Sequence, residues 1–269
     1  MTTTSPIALI TGANRGLGRH AALALACQGT DIILTYRSHA DEAQAVVAEI
    51  EALGRRAVAL QLDVTDADRF AAFADTVRET LASHWQRDRF DFLLNNAGLG
   101  AHASFAETTP AQFDQMVAVH LKGPFFLTQT LLPLIADGGR ILNVSSGLTR
   151  FAMPGFAVYA TMKGGIEVLT RYQAKELGGR GISVNTLAPV PSKPISAAAR
   201  CATTRISTHW SPATLHWVVP ACPTISVAWW QRCSAPAPDG STRSASRHRA
   251  ACSCRCFALL PSLREKGWG

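Results

Sequence analysis

Tyr159 and Lys163 stand four positions apart in "YATMK", a spacing that places both on one face of a helix. A phenol next to an ammonium group can do acid–base chemistry. A free tyrosine has a pKa of ~10 and each unit is worth ~1.4 kcal/mol, so proton transfer near neutrality needs roughly 4 kcal/mol in favour of phenolate. One ammonium ~4 Å away at an effective dielectric of ~20 supplies ~4 kcal/mol, so Lys163 is expected to provide most of the shift. Alone, the pair also fits an amphipathic surface helix. Ser146, at the end of "RILNVSS", lies 13 positions before Tyr159.

A second group of residues suits a nucleotide. "ITGANRGLGRHAA" sets Gly12, Gly16 and Gly18 between an apolar run and a helical pattern. Glycines there permit a tight turn and let backbone N–H groups approach a pyrophosphate at the helix N-terminus. The spacing is TGxxxGxG rather than GxGxxG, and an ordinary glycine-rich turn would also fit. The second apolar run ends in Tyr36 and Arg37, with Arg15 inside the glycine loop. Two cations and no carboxylate suit a 2′-phosphate, so NADP(H) is expected over NAD(H), although either arginine also fits a solvated loop charge.

These groups need a scaffold. "IALIT", "DIILTY", "AVALQLDV", "FDFLLNN", "RILNVSS" and "ISVNTLAP" are apolar on both faces, which predicts strands of a parallel sheet covered by helices on both sides. Between them, helical patterns cover residues 19–27, 41–54, 66–84, 110–136 and 158–177, with Gly54 closing the second and Pro110 starting the fourth. This alternation predicts an α/β fold, a doubly wound parallel sheet of Rossmann type in a single domain.

Taken together, TGxxxGxG, "NNAG" at 95–98, Ser146 and "YATMK" resemble the short-chain dehydrogenase/reductase family over roughly residues 5–189. The resemblance implies an oxidoreductase that transfers hydride between NADP(H) and a carbonyl or alcohol. In it, Tyr159 would protonate the carbonyl oxygen, Ser146 would hold that oxygen and Lys163 would also bind the nicotinamide ribose. It further implies cofactor contacts from Gly12, Asn14, Arg15, Gly16, Leu17 and Gly18 in the glycine loop, and from Tyr36 and Arg37. Asp63 and Val64 of "LDVTD" would border the adenine, while Asn95, Asn96, Ala97 and Gly98 would line the cofactor and brace the sheet; Pro189 would complete the pocket. Asp63 also fits a helix N-terminal cap. One departure lies inside the site: the family usually has asparagine in "NxxG", shaping a water-mediated proton path, where "VHLKG" gives His120. An imidazole can shuttle protons, so a relay role and a packing role both stand.

Charge and cysteine divide the chain in two. From residue 190 onward ten lysines and arginines face two carboxylates, giving +8, whereas the first 189 residues carry −1 and offer no electrostatic footprint for nucleic acid. Six of the seven cysteines also lie in that tail, unlike a secreted disulfide framework. The start has no basic region before a long apolar core, and no run of about 18 apolar residues follows. A cytoplasmic protein with a small-molecule substrate is expected, without nucleic acid, membrane or metal. The family resemblance adds a homo-oligomer.

After "VNTLAP" the family's continuation is missing as written but legible in another frame. Reading each codon's first two bases behind the last base of the preceding codon turns "VPSKPIS" into GAVETDF. "LHWVVPACPTISVAW" can become TALGRAGVPDDIGGV, and a stop codon falls at the Cys254, Arg255 junction. The expectation is a one-base deletion at Pro189, leaving residues 190–269 as an out-of-frame, disordered tail. The last strand and substrate loop would be lost, an edge strand left open, and the product weakly stable and weakly active. Two alternatives are a non-catalytic nucleotide-binding protein and a Rossmann domain with a basic nucleic-acid-binding tail, its Cys252-x-Cys254-x-Cys256 run being a weak match to zinc sites.

Overall fold

The computed structural model describes residues 5–189. The boundary expected after Pro189, the out-of-frame tail, its cysteines and its tryptophans lie outside the described residues.

Six parallel strands form one sheet: β1 (Ile7–Ile10), β2 (Asp31–Tyr36), β3 (Ala57–Gln61), β4 (Phe90–Asn95), β5 (Ile135–Val144) and β6 (Ser183–Leu187), in the order β3-β2-β1-β4-β5-β6. Helices α1 (Gly16–Ala26), α2 (Ala40–Ala52), α3 (Phe70–Thr80), α4 (Pro110–Val117), α5 (Gly123–Leu131) and α6 (Ala157–Glu176) connect them. The strand order reverses between β1 and β4, and the crevice at such a switch point is where α/β sheets bind ligands.

Strand alternation divides the core. Ile7, Leu9, Ile33 and Leu93 meet Phe70, Val77 and Leu131 on one side. Ala8, Ile10, Ile32 and Leu34 meet Ala22, Leu25, Val46 and Ile50 on the other. Asp31 opens β2 fully buried, and its carboxylate accepts from Trp85 Nε1 at 2.9 Å and pairs with Arg55 and Arg56 at 3.2 and 3.3 Å. That charge is compensated where a lone one would be very costly.

Two expected helices are shorter and less regular than their periodicity predicted. The run 66–84 is a 3₁₀ turn, then α3, then a π-helical turn at Leu81–Trp85 that ends on Gln86 in the left-handed region. The run 110–136 starts as expected, with Thr109 capping Gln112 and Pro110 in the first turn, but relaxes into a π-helical turn at Ala118–Lys122 before α5. It then stops at a 3₁₀ turn containing Pro133, and Ile135 and Ala136 belong to β5 instead. Apolar spacing continues through these changes of pitch and so could not reveal them.

Candidate active site

The glycine loop continues β1 along the sheet: Thr11 N–H donates to Leu94 O at 3.0 Å and Ala13 N–H to Thr35 O at 2.9 Å. Gly12 and Gly16 have φ of +62° and +58°, which L side chains rarely adopt. Nothing lies within 4 Å of where a Gly16 side chain would start, so the surface over the loop is open. Arg15 enters α1 without a side-chain cap, and the first turn holds no acid, leaving its N–H groups available to an anion.

Asn96, expected among the cofactor-lining residues, and Thr11, which the sequence reading did not single out, hold this loop. Asn96 Nδ2 donates to Thr11 O at 2.9 Å and to Gly12 O at 3.0 Å, while Thr11 Oγ1 accepts from the N–H groups of Asn96 and Ala97 at 3.0 and 2.9 Å. The threonine of TGxxxGxG was the available signal for Thr11. Gly18 packs so tightly here that a Cβ would meet Asn96 and Gly12 O.

The expected cofactor residues fall into three groups. Arg15, Leu17 and Arg37 are exposed at the loop and at the end of β2, and neither guanidinium meets a carboxylate among the described residues. Asn14 turns to α2, donating to Glu42 Oε2 at 2.7 Å, and Tyr36 is half-buried. Asp63 caps a turn rather than a helix: its Oδ1 accepts from Thr65 N–H and Oγ1 at 2.9 and 2.7 Å, and the next 3₁₀ turn starts at Ala67 with no side-chain cap. Val64 follows, with its carbonyl pressed against Gly123.

Asn95 braces the sheet. Its Nδ2 donates to Thr128 Oγ1 at 3.0 Å and Asn143 Oδ1 at 2.8 Å, and Asn143 Nδ2 reaches Thr170 and Gln173, both at 2.9 Å. This buried amide chain joins α5, β4, β5 and α6. Ala97 and Gly98 follow at the strand end, Gly98 lying against the His120 ring.

Ser146, Tyr159, Lys163 and His120 converge beyond the ends of β4 and β5. Ser146 is buried, accepts at Oγ from Leu148 N–H at 3.2 Å and stands beside the Tyr159 phenol, whose ionised form its hydroxyl favours. Lys163 is 4% exposed; its Nζ donates to Val144 O at 2.8 Å and lies 5.6 Å from the Tyr159 ring centre. His120 Nε2 meets Leu99 O at 2.8 Å, and its Nδ1 is buried without a partner among the described residues. Pro189 O accepts from Gly147 N–H at 3.1 Å, fixing the turn that carries Ser146. Beside it, the loop 148–156 and α6 border a solvent-open pocket of about 320 Å³, lined by Leu148, Phe156 and the exposed Phe151 and Met153.

The electrostatics correct one expectation. Lys163 was expected to push the phenol toward phenolate; among the protein's own groups, burial raises the Tyr159 pKa and the Ser146 bond only opposes it. Burial also lowers Lys163 to about 8. His120 falls to about 4, through burial and then the Lys163 charge, against the Leu99 bond. Spacing fixed the proximity of the pair but not the desolvation of both members.

Comparisons with known proteins agree with this geometry. A short chain dehydrogenase family model matches residues 6–201. A 3-oxoacyl-[acyl-carrier-protein] reductase of Synechocystis sp. is 36% identical over 188 residues, covering 69% of this chain and 74% of that protein. The tetrahydroxynaphthalene reductase PfmaG of Pestalotiopsis fici is 37% identical over 185 residues, 68% of this chain and 64% of its own length. Among solved structures, the landomycin C-6 ketoreductase LanV with bound NADP and rabelomycin superposes with a TM-score of 0.67 at 39% identity, covering 69% of this chain and 76% of that one. No helix among the described residues is long and apolar enough to cross a membrane.

Proposed function

The chain belongs to the short-chain dehydrogenase family, and from that premise we propose that it is an NADP(H)-dependent reductase of a carbonyl substrate, with Tyr159, Ser146 and Lys163 as its acid–base machinery. The observation that carries the reading is the convergence of those three side chains beside an open glycine loop whose arginines meet no carboxylate among the described residues. The fit to NADP(H) rests on Gly12 and Gly16 in the left-handed region, the uncapped start of α1, and Arg15 and Arg37 placed for a 2′-phosphate. The LanV relative, solved with NADP, supports it.

When bound, NADPH supplies the hydride. Tyr159 Oη gives its proton to the substrate oxygen, and a phenol whose pKa is raised by burial holds that proton at neutral pH, as a reductive acid must. Ser146 Oγ, fixed by Leu148 N–H, donates to the same oxygen and orients it. Lys163 Nζ, anchored on Val144 O, places positive charge beneath the phenol and supports the phenolate left after transfer. His120 is neutral, and its bare Nδ1 is an acceptor with no donor among the described residues. The open apolar pocket bordered by Leu148, Phe151 and Met153, next to the Ser146 turn, leaves room for a bulky apolar carbonyl, in keeping with the polycyclic and acyl substrates in the relatives' names.

The out-of-frame reading of residues 190–269 belongs to this proposal. The test is NADPH oxidation on a panel of aryl ketones and 3-oxoacyl thioesters, using this chain and a frame-restored one. Turnover by the restored chain that Tyr159→Phe abolishes is expected. Turnover that survives Tyr159→Phe would remove the phenol from the mechanism.

A further inference from the structure

One face of α6 carries a third polar residue in step with the pair, since Tyr159, Lys163 and Glu167 follow at four-residue intervals. Glu167 Oε1 accepts from Ser145 Oγ at 3.1 Å and from Thr149 Oγ1 at 2.9 Å. Those two hydroxyls bracket Ser146 in sequence. The Ser145 hydroxyl also lies 3.2 Å from Lys163 O, and that of Thr149 3.0 Å from Ser146 O.

Ser146 needs such support. It stands where the chain leaves β5 in an extended conformation, with φ −153° and ψ 152°. On the β6 side its neighbours are tied by backbone bonds, Ser145 N–H to Leu187 O at 2.7 Å and Gly147 N–H to Pro189 O at 3.1 Å. No backbone bond ties this turn to α6, the helix that carries its partner phenol, among the described residues.

We propose that Glu167 is a positioning residue, whose single carboxylate oxygen holds the hydroxyls on both sides of Ser146 and thereby sets Ser146 against Tyr159. This rests on the acid–base reading of the same site. Glu167 acts through Ser146 and touches no reacting atom. What matters is the acceptor oxygen, not the charge, so glutamine serves where alanine fails.

The groups facing the Tyr159 phenol are His120 from the π-helical turn, Lys163 from α6 and Ser146 from the end of β5. His120 is neutral above pH 6, and Lys163 loses its charge near 8, so at higher pH the Ser146 bond is what assists phenolate formation. Absorbance titration of phenolate reports that bond directly and without turnover. The chain has three tyrosines, and subtraction of a Tyr159→Phe titration isolates the one of interest.

Glu167→Ala is expected to move the Tyr159 midpoint up by about one pH unit, the loss of one hydrogen bond to a charged acceptor, with Glu167→Gln unmoved. An unmoved midpoint in Glu167→Ala overturns the proposal, as does an equal shift in Glu167→Gln. Should Glu167→Ala fail to fold, the double variant Ser145→Ala with Thr149→Val removes the donors instead, and its midpoint decides in the same way. An absence of turnover on every carbonyl would count against the proposed function and leave this titration to judge the clamp.

Discussion

The imidazole of His120 stands edge-on to the phenol ring of Tyr159, with 5.3 Å between centres and 85° between planes. Its Nε2 faces Leu99 O, and a carbonyl only accepts, so Nε2 carries the proton and Nδ1 is bare. With a pKa near 4, the ring is neutral wherever the enzyme is expected to work. His120→Ala is therefore expected to lower kcat by a similar factor at every pH from about 6 to 9. A loss confined to one side of a midpoint near 6.5 would make His120 a proton carrier.

The same ring gives a stability signature. The folded pKa of about 4 lies below the ordinary 6.5, so the unfolded chain binds the extra proton between those values and stability falls as pH drops through that window. The difference is worth about 3 kcal/mol at full titration. Denaturant midpoints of the wild type should fall from pH 7 to 4.5 more steeply than those of His120→Asn. Parallel curves would show that the ring is not desolvated.

Lys163 makes the opposite trade of stability for chemistry. Its buried ammonium titrates near 8 rather than 10.5, so it destabilises the fold by about 3 kcal/mol below pH 8, and stability is regained as pH rises from 8 to 10.5. Lys163→Met forfeits the bond to Val144 O, which offsets about 1–2 kcal/mol of the gain. The variant is expected to be inert yet about 1–2 kcal/mol more stable at pH 7, by urea unfolding.

Cofactor preference should follow the guanidinium groups of the glycine loop and the end of β2. Arg15→Ala and Arg37→Ala should each weaken NADPH binding about 10- to 100-fold, the worth of one charged hydrogen bond of ~1.5–3 kcal/mol, and leave NADH binding nearly unchanged. Fluorescence titration with both nucleotides reads the ratio. Equal losses for the two would move the 2′-phosphate contact elsewhere.

Source DNA across codons 185–195 should contain one base more than the gene that encodes this chain. The restored frame is expected to yield a product that unfolds cooperatively and turns over NADPH. An unchanged reading would make this a frameshifted allele, whose product should fail to turn over NADPH.

Local chemistry made much of the fold and site legible. The glycine loop, the apolar strands and the Ser146, Tyr159 and Lys163 pattern all depend on short-range spacing, and the sheet assembled as expected. What escaped depends on packing at a distance. Thr11 and Glu167 look like ordinary polar residues until β1 lies beside β4 and α6 beside β5. The pitch changes at Leu81–Trp85 and Ala118–Lys122 leave the apolar period intact. The misjudged phenol shows the same limit, because a spacing of four says that two groups meet but not how dry the meeting place is.

The amide chain from Thr128 through Asn95 and Asn143 to Gln173 has a consequence for anyone wishing to transplant this centre. It registers the α6 helix, with its phenol and ammonium, to helix α5 across one face of the sheet. A graft that exchanged α6 alone would leave Asn143 amide hydrogens unmet in the interior, at a cost of about 1–3 kcal/mol each. The smallest exchangeable unit is therefore the block from Phe90 to Leu187, and recombination points belong before it, in the turn around Gln86.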